Sequence, residues 1–202
     1  MTPTSTKPYD ARLAAWLVTP LVPTRVTPNH LTCVRFAVGA AGAVMFALGD
    51  RPNSAALLVV LSNFLDHTDG ELARMSGKSS RFGHYFDLLS DALVTVGMFA
   101  GIGIGLVASL GPQAAWMGAS AGLAVAGIFH LRNLIENRHG KTATRQPRFG
   151  GFEAEDVLYL VPLVTLAGGL ELFLRAAAIG APIAFALVVV QYVMIERRTA
   201  RS

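Results

Sequence analysis

Residues 66–91 read Asp66-His67-Thr68-Asp69-Gly70-Glu71-Leu72-Ala73-Arg74-Met75-Ser76-Gly77-Lys78-Ser79-Ser80-Arg81-Phe82-Gly83-His84-Tyr85-Phe86-Asp87-Leu88-Leu89-Ser90-Asp91. Four aspartates stand in a chain that is otherwise strongly apolar. Asp66 and Asp69 are three apart, Asp87 and Asp91 four apart, so on helices each pair shares a face. Gly83 lies one turn before Asp87 on that face. Between the pairs runs a short basic break, Met75 to Arg81. The pattern predicts two helices joined by a tight turn, each bringing two carboxylates toward the other. One aspartate at mid-bilayer costs about 2.5–3.5 kcal/mol, and like charges repel on top of that. Four together call for a cation. The candidate ligands are hard oxygens with no Cys nearby, which points to Mg²⁺ or Mn²⁺ and away from a thiolate-bound zinc. A solvated helix–loop–helix with surface charges is the plainer alternative; the strict alternation of these charges with Gly, Ala and Leu argues against it.

The spacing Asp66-x2-Asp69-Gly70-x2-Ala73-Arg74-x8-Gly83-x3-Asp87-x3-Asp91 resembles the signature of the CDP-alcohol phosphotransferase family, with every specified position filled. The resemblance implies an all-α, six-helix membrane fold. It also implies transfer of a phosphatidyl-type group from a CDP-linked donor, such as CDP-diacylglycerol, to an alcohol acceptor, with release of CMP. On this reading Asp66, Asp69 and Asp87 hold one or two divalent ions, which would clamp a pyrophosphate in an in-line displacement. Gly70, Ala73 and Gly83 lack bulk and let a nucleotide lie between the helices, and Arg74 can pair with phosphate. Asp91, by resemblance, is the general base for the acceptor hydroxyl, with metal contact also open to it. Glu71 is out of phase with Asp66 and Asp69, which favours a solvated or partner-facing role over ligation. His67 and His84 read as hydrogen-bonding neighbours, and Lys78, Ser79 and Arg81 as contacts for nucleotide phosphate or lipid headgroups.

The rest of the chain fits an integral membrane protein. Of 202 residues, 52% are apolar and 15% charged, with a mean hydropathy of +0.48, and one domain is the expectation. The single Cys, Cys33, excludes a disulfide framework and reads as a packing residue. No signal-peptide pattern opens the chain. Residues 1–27 form an N-terminal segment in which Asp10 to Thr19 makes a short helix. Leu13, Trp16 and Leu17 share one face of it, which suits either the membrane interface or ordinary packing. Residues 28–198 form the membrane domain. Thr27 caps the first span with Pro28 at its first position. The six spans run over about Asn29–Leu48, Ser54–Arg74, Phe82–Leu110, Pro112–Glu136, Phe152–Gly168 and Glu171–Ile195. Arg35, one to two turns into the first, can snorkel or face the aspartates.

Six spans put both termini, the motif turn and the polar 137–151 segment on one side. All seventeen Lys and Arg except Arg51 and Arg175 fall there, which orients that side toward the cytoplasm of a cell membrane. Arg132, Arg138, Lys141, Arg145 and Arg148 contact anionic lipid or form a pocket for a phosphorylated acceptor. Glu153, Glu155 and Asp156 complement a helix dipole, or receive an amine headgroup. Gly97, Gly101 and Gly105, and Gly118, Gly122 and Ala126, permit close helix approach, within the chain or, as the resemblance suggests, in a homodimer. A divalent-cation transporter is the alternative function, but it would place its carboxylates near mid-membrane with access from both sides. Nucleic acid is not among the expected partners; membrane lipids, a CDP-linked lipid donor and an alcohol acceptor are.

Overall fold

The computed structural model describes residues 9–140 and 159–199. Its elements are α1 (Tyr9–Val18), a 3-10 turn (Thr19–Leu21), α2 (Pro28–Leu48), α3 (Pro52–Ser76), α4 (Arg81–Gly105), the one-turn α5 (Val107–Leu110), α6 (Gln113–His139), α7 (Val161–Leu166) and α8 (Leu170–Thr199). No strand occurs among the described residues. Four helices, α2, α4, α6 and α8, are long and apolar enough to cross a membrane. α3 has the length but spends its last three turns on the polar motif. The third expected span breaks at Leu106 into α4 and α5. The fifth begins outside the described residues and ends at α7.

Local chemistry sets the helix ends around the motif. Thr27 stands at the N-cap of α2 and Pro28 at its first position; the side chain of His30 reaches back, its Nδ1 accepting from the Thr27 N–H at 3.2 Å. Gly77 ends α3 with φ +67°, a conformation other residues resist, and its N–H bonds the Ala73 carbonyl at 3.1 Å. Three residues later Ser80 caps α4, its Oγ accepting from the Gly83 N–H at 2.9 Å. Lys78 fastens the turn from outside: its Nζ donates to the carbonyls of Thr24 and Val26 at 2.6 and 3.3 Å.

The helices pack in a chain of neighbours. α3 and α4 each lie along α2, α6 lies on α4, and α8 on α6; α1 and α7 cover α3. The two motif helices bring their carboxylates toward one another as expected, but they do so across α2, on which both pack. Small residues make these crossings close. A Cβ at Gly101 would meet the Ala43 carbonyl oxygen, and one at Gly97 would come within 3.3 Å of Ala43. On α6, Gly118 abuts the backbone of Phe99 and Gly103, and Gly122 that of Val96. Both glycine stripes are thus used inside one chain, α4 against α2 and α6 against α4. The core between them holds Phe46, Val59, Met98, Phe99, Ile102 and Leu174. Outside it, large apolar residues stay exposed along whole helices, among them Val44, Leu57, Leu93, Leu123, Leu172, Ile179 and Leu187. That much uncovered apolar surface is the signature of a lipid solvent rather than water.

α1 buries Ala14 and Val18. Leu13, Trp16 and Leu17 remain exposed on its other side, Trp16 by 71%.

Candidate active site

Three helices build the site. α3 supplies Asp66 and Asp69, α4 supplies Asp87 and Asp91, and α2 sets Arg35 between them. Arg35 is 2% exposed. Its Nε faces Asp69 Oδ2 at 3.2 Å, Nη1 faces Asp91 Oδ1 at 2.6 Å, and Nη2 faces Asp87 Oδ1 at 2.5 Å and Asp66 Oδ1 at 3.2 Å. Nη2 also donates to the backbone carbonyl of Asp87 at 3.1 Å. One turn earlier on α2, Thr32 Oγ1 donates to the same Asp69 oxygen at 2.8 Å. The backbone of α2 is pinned here too, with Ser62 Oγ donating to the Arg35 carbonyl at 2.8 Å.

The donor set fits a hard divalent ion. Carboxylate oxygens of Asp66, Asp69 and Asp87 lie within 4.8 Å of one another. Four carboxylates against one guanidinium leave three formal negative charges; Asp69 is buried and the other three are partly open, so an ion could reach them and offset that excess.

Two cavities divide the four aspartates. The smaller, about 190 Å³, is lined by Asp69 and Asp87 together with Gly70, Ala73, Gly83, Asn29 and Thr32, and by Lys78, Ser79 and His84 from the turn. A Cβ at Gly83 would come within 2.6 Å of Asn29 Oδ1, so a larger residue there would have to displace the Asn29 side chain from that wall. The larger, about 320 Å³, is lined by Asp66 and Asp91 with Asn63, His67, His130, Arg132, Asn133, Glu136 and Tyr159 among others. Among the described residues, none lines both.

The expected residues therefore separate. Asp66, Asp69, Asp87 and Asp91 converge, Gly70, Ala73 and Gly83 share one cavity, and Arg132 lines the other. Arg74 stands beside the small cavity, 63% exposed, with its Nη2 on Glu71 at 2.9 Å. Glu71 is not solvated but 2% exposed, on a helix packed on by α1, α2 and α7. Arg138 is not brought to either cavity: its guanidinium donates to Tyr192 Oη at 3.1 Å and Glu196 Oε1 at 3.0 Å on α8. Arg81 faces outward with Tyr85. Lys141, Arg145, Arg148, Glu153, Glu155 and Asp156 lie outside the described residues.

Asn29, Thr32, Asn63, His130 and Asn133 join the cavities without having been singled out. Their signal was present: Asn29, Thr32 and Arg35 recur every three residues on an apolar span, as do His130 and Asn133.

A family model described as CDP-alcohol phosphatidyltransferase matches residues 25–195. Over 80 residues the chain is 35% identical to the archaetidylinositol phosphate synthase of Pyrococcus horikoshii, a match covering 40% of this chain and 42% of that protein. Such matches span under half the length of the curated relatives concerned. The fold is similar to that of Mycobacterium tuberculosis phosphatidylinositol phosphate synthase solved with CDP-DAG bound, with a TM-score of 0.61 at 21% identity, covering 91% of each chain. The same enzyme solved with manganese and citrate gives a TM-score of 0.58 at 19% identity, covering 92% of this chain and 86% of that one.

Proposed function

The chain belongs to the CDP-alcohol phosphatidyltransferase family, and from that premise we propose that it transfers a phosphatidyl-type group from a CDP-linked lipid, CDP-diacylglycerol in our reading, to the hydroxyl of an alcohol acceptor in phospholipid biosynthesis, releasing CMP. The observation that carries this reading is the division of the aspartates between two cavities. A transferase needs two substrates to reach one reacting centre from separate sites. The small cavity, walled by Gly70, Ala73 and Gly83, suits the flat cytidine and its phosphates. The larger, lined by the polar side chains of Asn63, Asn133, His130 and Arg132, suits a polar acceptor. Both touch the carboxylates.

In this proposal Asp91 takes the proton of the acceptor hydroxyl. The acceptor oxygen then bonds to the lipid-side phosphorus, the bond from that phosphorus to the CMP oxygen breaks, and CMP departs with the electron pair. A divalent ion held by Asp66, Asp69 and Asp87, Mg²⁺ or Mn²⁺ and as one or two ions, would neutralise the pyrophosphate and the leaving oxygen. Asp91 Oδ1 accepts from Arg35, which holds the carboxylate in place at the mouth of the acceptor cavity. The family assignment favours this chemistry over the cation transporter.

We also place six crossings in a cell membrane, counting α3 and the segment ending in α7, with the aspartates and both termini cytoplasmic and α1 at the interface. Residues 28–198 are then the catalytic domain and residues 1–27 precede it. A homodimer would use a face other than the two glycine stripes, since those are occupied within the chain.

The test is CMP release by the purified protein with CDP-diacylglycerol and Mg²⁺ or Mn²⁺, across inositol phosphate, glycerol phosphate and amino-alcohol acceptors. At least one acceptor should support turnover. No release with any acceptor, together with no metal-dependent binding of the donor, would defeat the proposal.

A further inference from the structure

Among the described residues Arg35 is the one cation that touches all four aspartates, and the chemistry proposed above assigns it only the holding of Asp91. Its placement is specific. The guanidinium presents three nitrogens in a fixed fork, and each is directed at a different carboxylate: Nε at Asp69, Nη1 at Asp91, Nη2 at Asp87 and Asp66. A lysine has a single charged centre and cannot reach four acceptors from two helices in this way. The side chain turns into the site rather than snorkelling, 2% exposed, and α2 is tied to α3 beside it by Ser62 on the Arg35 carbonyl and by Thr32 on Asp69. α3 and α4 also meet mainly through α2, so the fork joins the two halves of the motif.

We infer that Arg35 is the protein's own counter-cation for the aspartates: it holds the four carboxylates together before a divalent ion binds, and cedes part of that pairing when one does. The ion's candidate ligands, Asp66, Asp69 and Asp87, are all Arg35 partners. Asp69 gives Thr32 and Arg35 the same oxygen, Oδ2, and neither engages its Oδ1. Arg35 and the ion therefore stabilise the same charges and repel each other. Each lowers the benefit of the other, and by linkage the effect on stability and the effect on ion affinity are one quantity. Arg35 is a positioning residue in this role, which rests on the divalent-ion reading of the site.

The experiment compares wild type, Arg35→Gln and Arg35→Lys as full chains in detergent. It measures Mn²⁺ affinity, by calorimetry and by loss of the free Mn²⁺ electron paramagnetic resonance signal, and melting in EDTA and in saturating Mn²⁺. The glutamine variant should melt lower than wild type in EDTA, recover most of that loss in Mn²⁺, and bind Mn²⁺ at least about tenfold more tightly, since a full positive charge beside the site has been removed. Lysine, which restores the charge without the fork, should fall between. A residue that merely packs would lower melting equally in both conditions and leave Mn²⁺ affinity unchanged. That result overturns the inference while leaving the proposed transferase standing. Absence of Mn²⁺ binding by all three proteins overturns both. If the glutamine variant does not fold in either condition, the lysine variant decides: unchanged or weaker Mn²⁺ binding by it refutes the role.

Discussion

Asp66 and Asp91 line the same cavity and both pair with Arg35, yet they are expected to fail differently when neutralised. Asp66 belongs to the group of carboxylates close enough to share an ion, with Asp69 and Asp87. Asp66→Asn should weaken Mn²⁺ and CDP-donor binding together, since the donor phosphates need the ion. Asp91→Asn keeps an oxygen for Arg35 Nη1 but cannot take the acceptor's proton. It should retain most donor binding and lose about 10²–10⁴ in turnover, the usual loss for a positioned base. Donor-nucleotide calorimetry beside CMP release reads both. Near-normal turnover by Asp91→Asn would remove it as the base, and loss of ion and donor as complete as in Asp66→Asn would move it into the metal shell. At this scale the aspartates were legible because a carboxylate in an apolar helix has few explanations, and their spacing fixes their face. Glu71 was not. Its phase is right for facing away from the site, but periodicity cannot say that other helices cover that side too. Arg35 was legible only as a choice between lipid surface and site, because its partners lie 31 to 56 residues further along the chain.

Among the elements, α4 carries the most constraint, since it contributes two aspartates at one end and makes close crossings on both flanks at the other. Gly97, Gly101 and Gly105 let it lie on α2, and Gly103 lets α6 approach from the other side, meeting the Ala114 backbone and Gly118. Gly101→Leu must push α4 off the Ala43 carbonyl. The expected cost is about 1–3 kcal/mol from overpacking, read as a lower melting temperature. Mn²⁺ affinity should fall with it, because the same helix positions Asp87. An unchanged melting temperature would show that the crossing is looser than the backbone distances imply. Small residues every fourth position announce a close crossing in the sequence, but not with whom. The stripe could equally have served a second copy of the chain, and only the arrangement of α2, α4 and α6 shows that each is matched within one chain. The break at Leu106 had no such signal, for the sequence runs on apolar through it from α4 into α5.

Across the whole molecule, charge is sorted to one end. Arg74, Lys78, Arg81, Arg132 and Arg138 stand on the ends of α3, α4 and α6 that carry the aspartates and their cavities, whereas Arg51 begins α3 and Arg175 lies near the start of α8, beside Gln113 and Trp116. Lys and Arg resist transfer across a membrane and accumulate on its cytoplasmic side. The same end holds the cavity proposed for a nucleotide, which is a cytoplasmic compound. The arrangement has a direct test, because Ser79 in the α3–α4 turn and Gln113 at the start of α6 are exposed at opposite ends of the bundle. Cys33 is the chain's own thiol, so the background is Cys33→Ser. In intact cells Gln113→Cys should react with a membrane-impermeant maleimide, and Ser79→Cys should react only after the membrane is opened. Gln113→Cys should keep CMP release, since Gln113 stands away from both cavities, whereas Ser79 lines the smaller one and its variant is read by labelling alone. The opposite labelling would place the aspartates outside, where no CDP-linked donor is available, and would count against the transferase itself. Labelling of both positions from one side would instead reject the number of crossings between them, leaving the site and its two cavities as they stand.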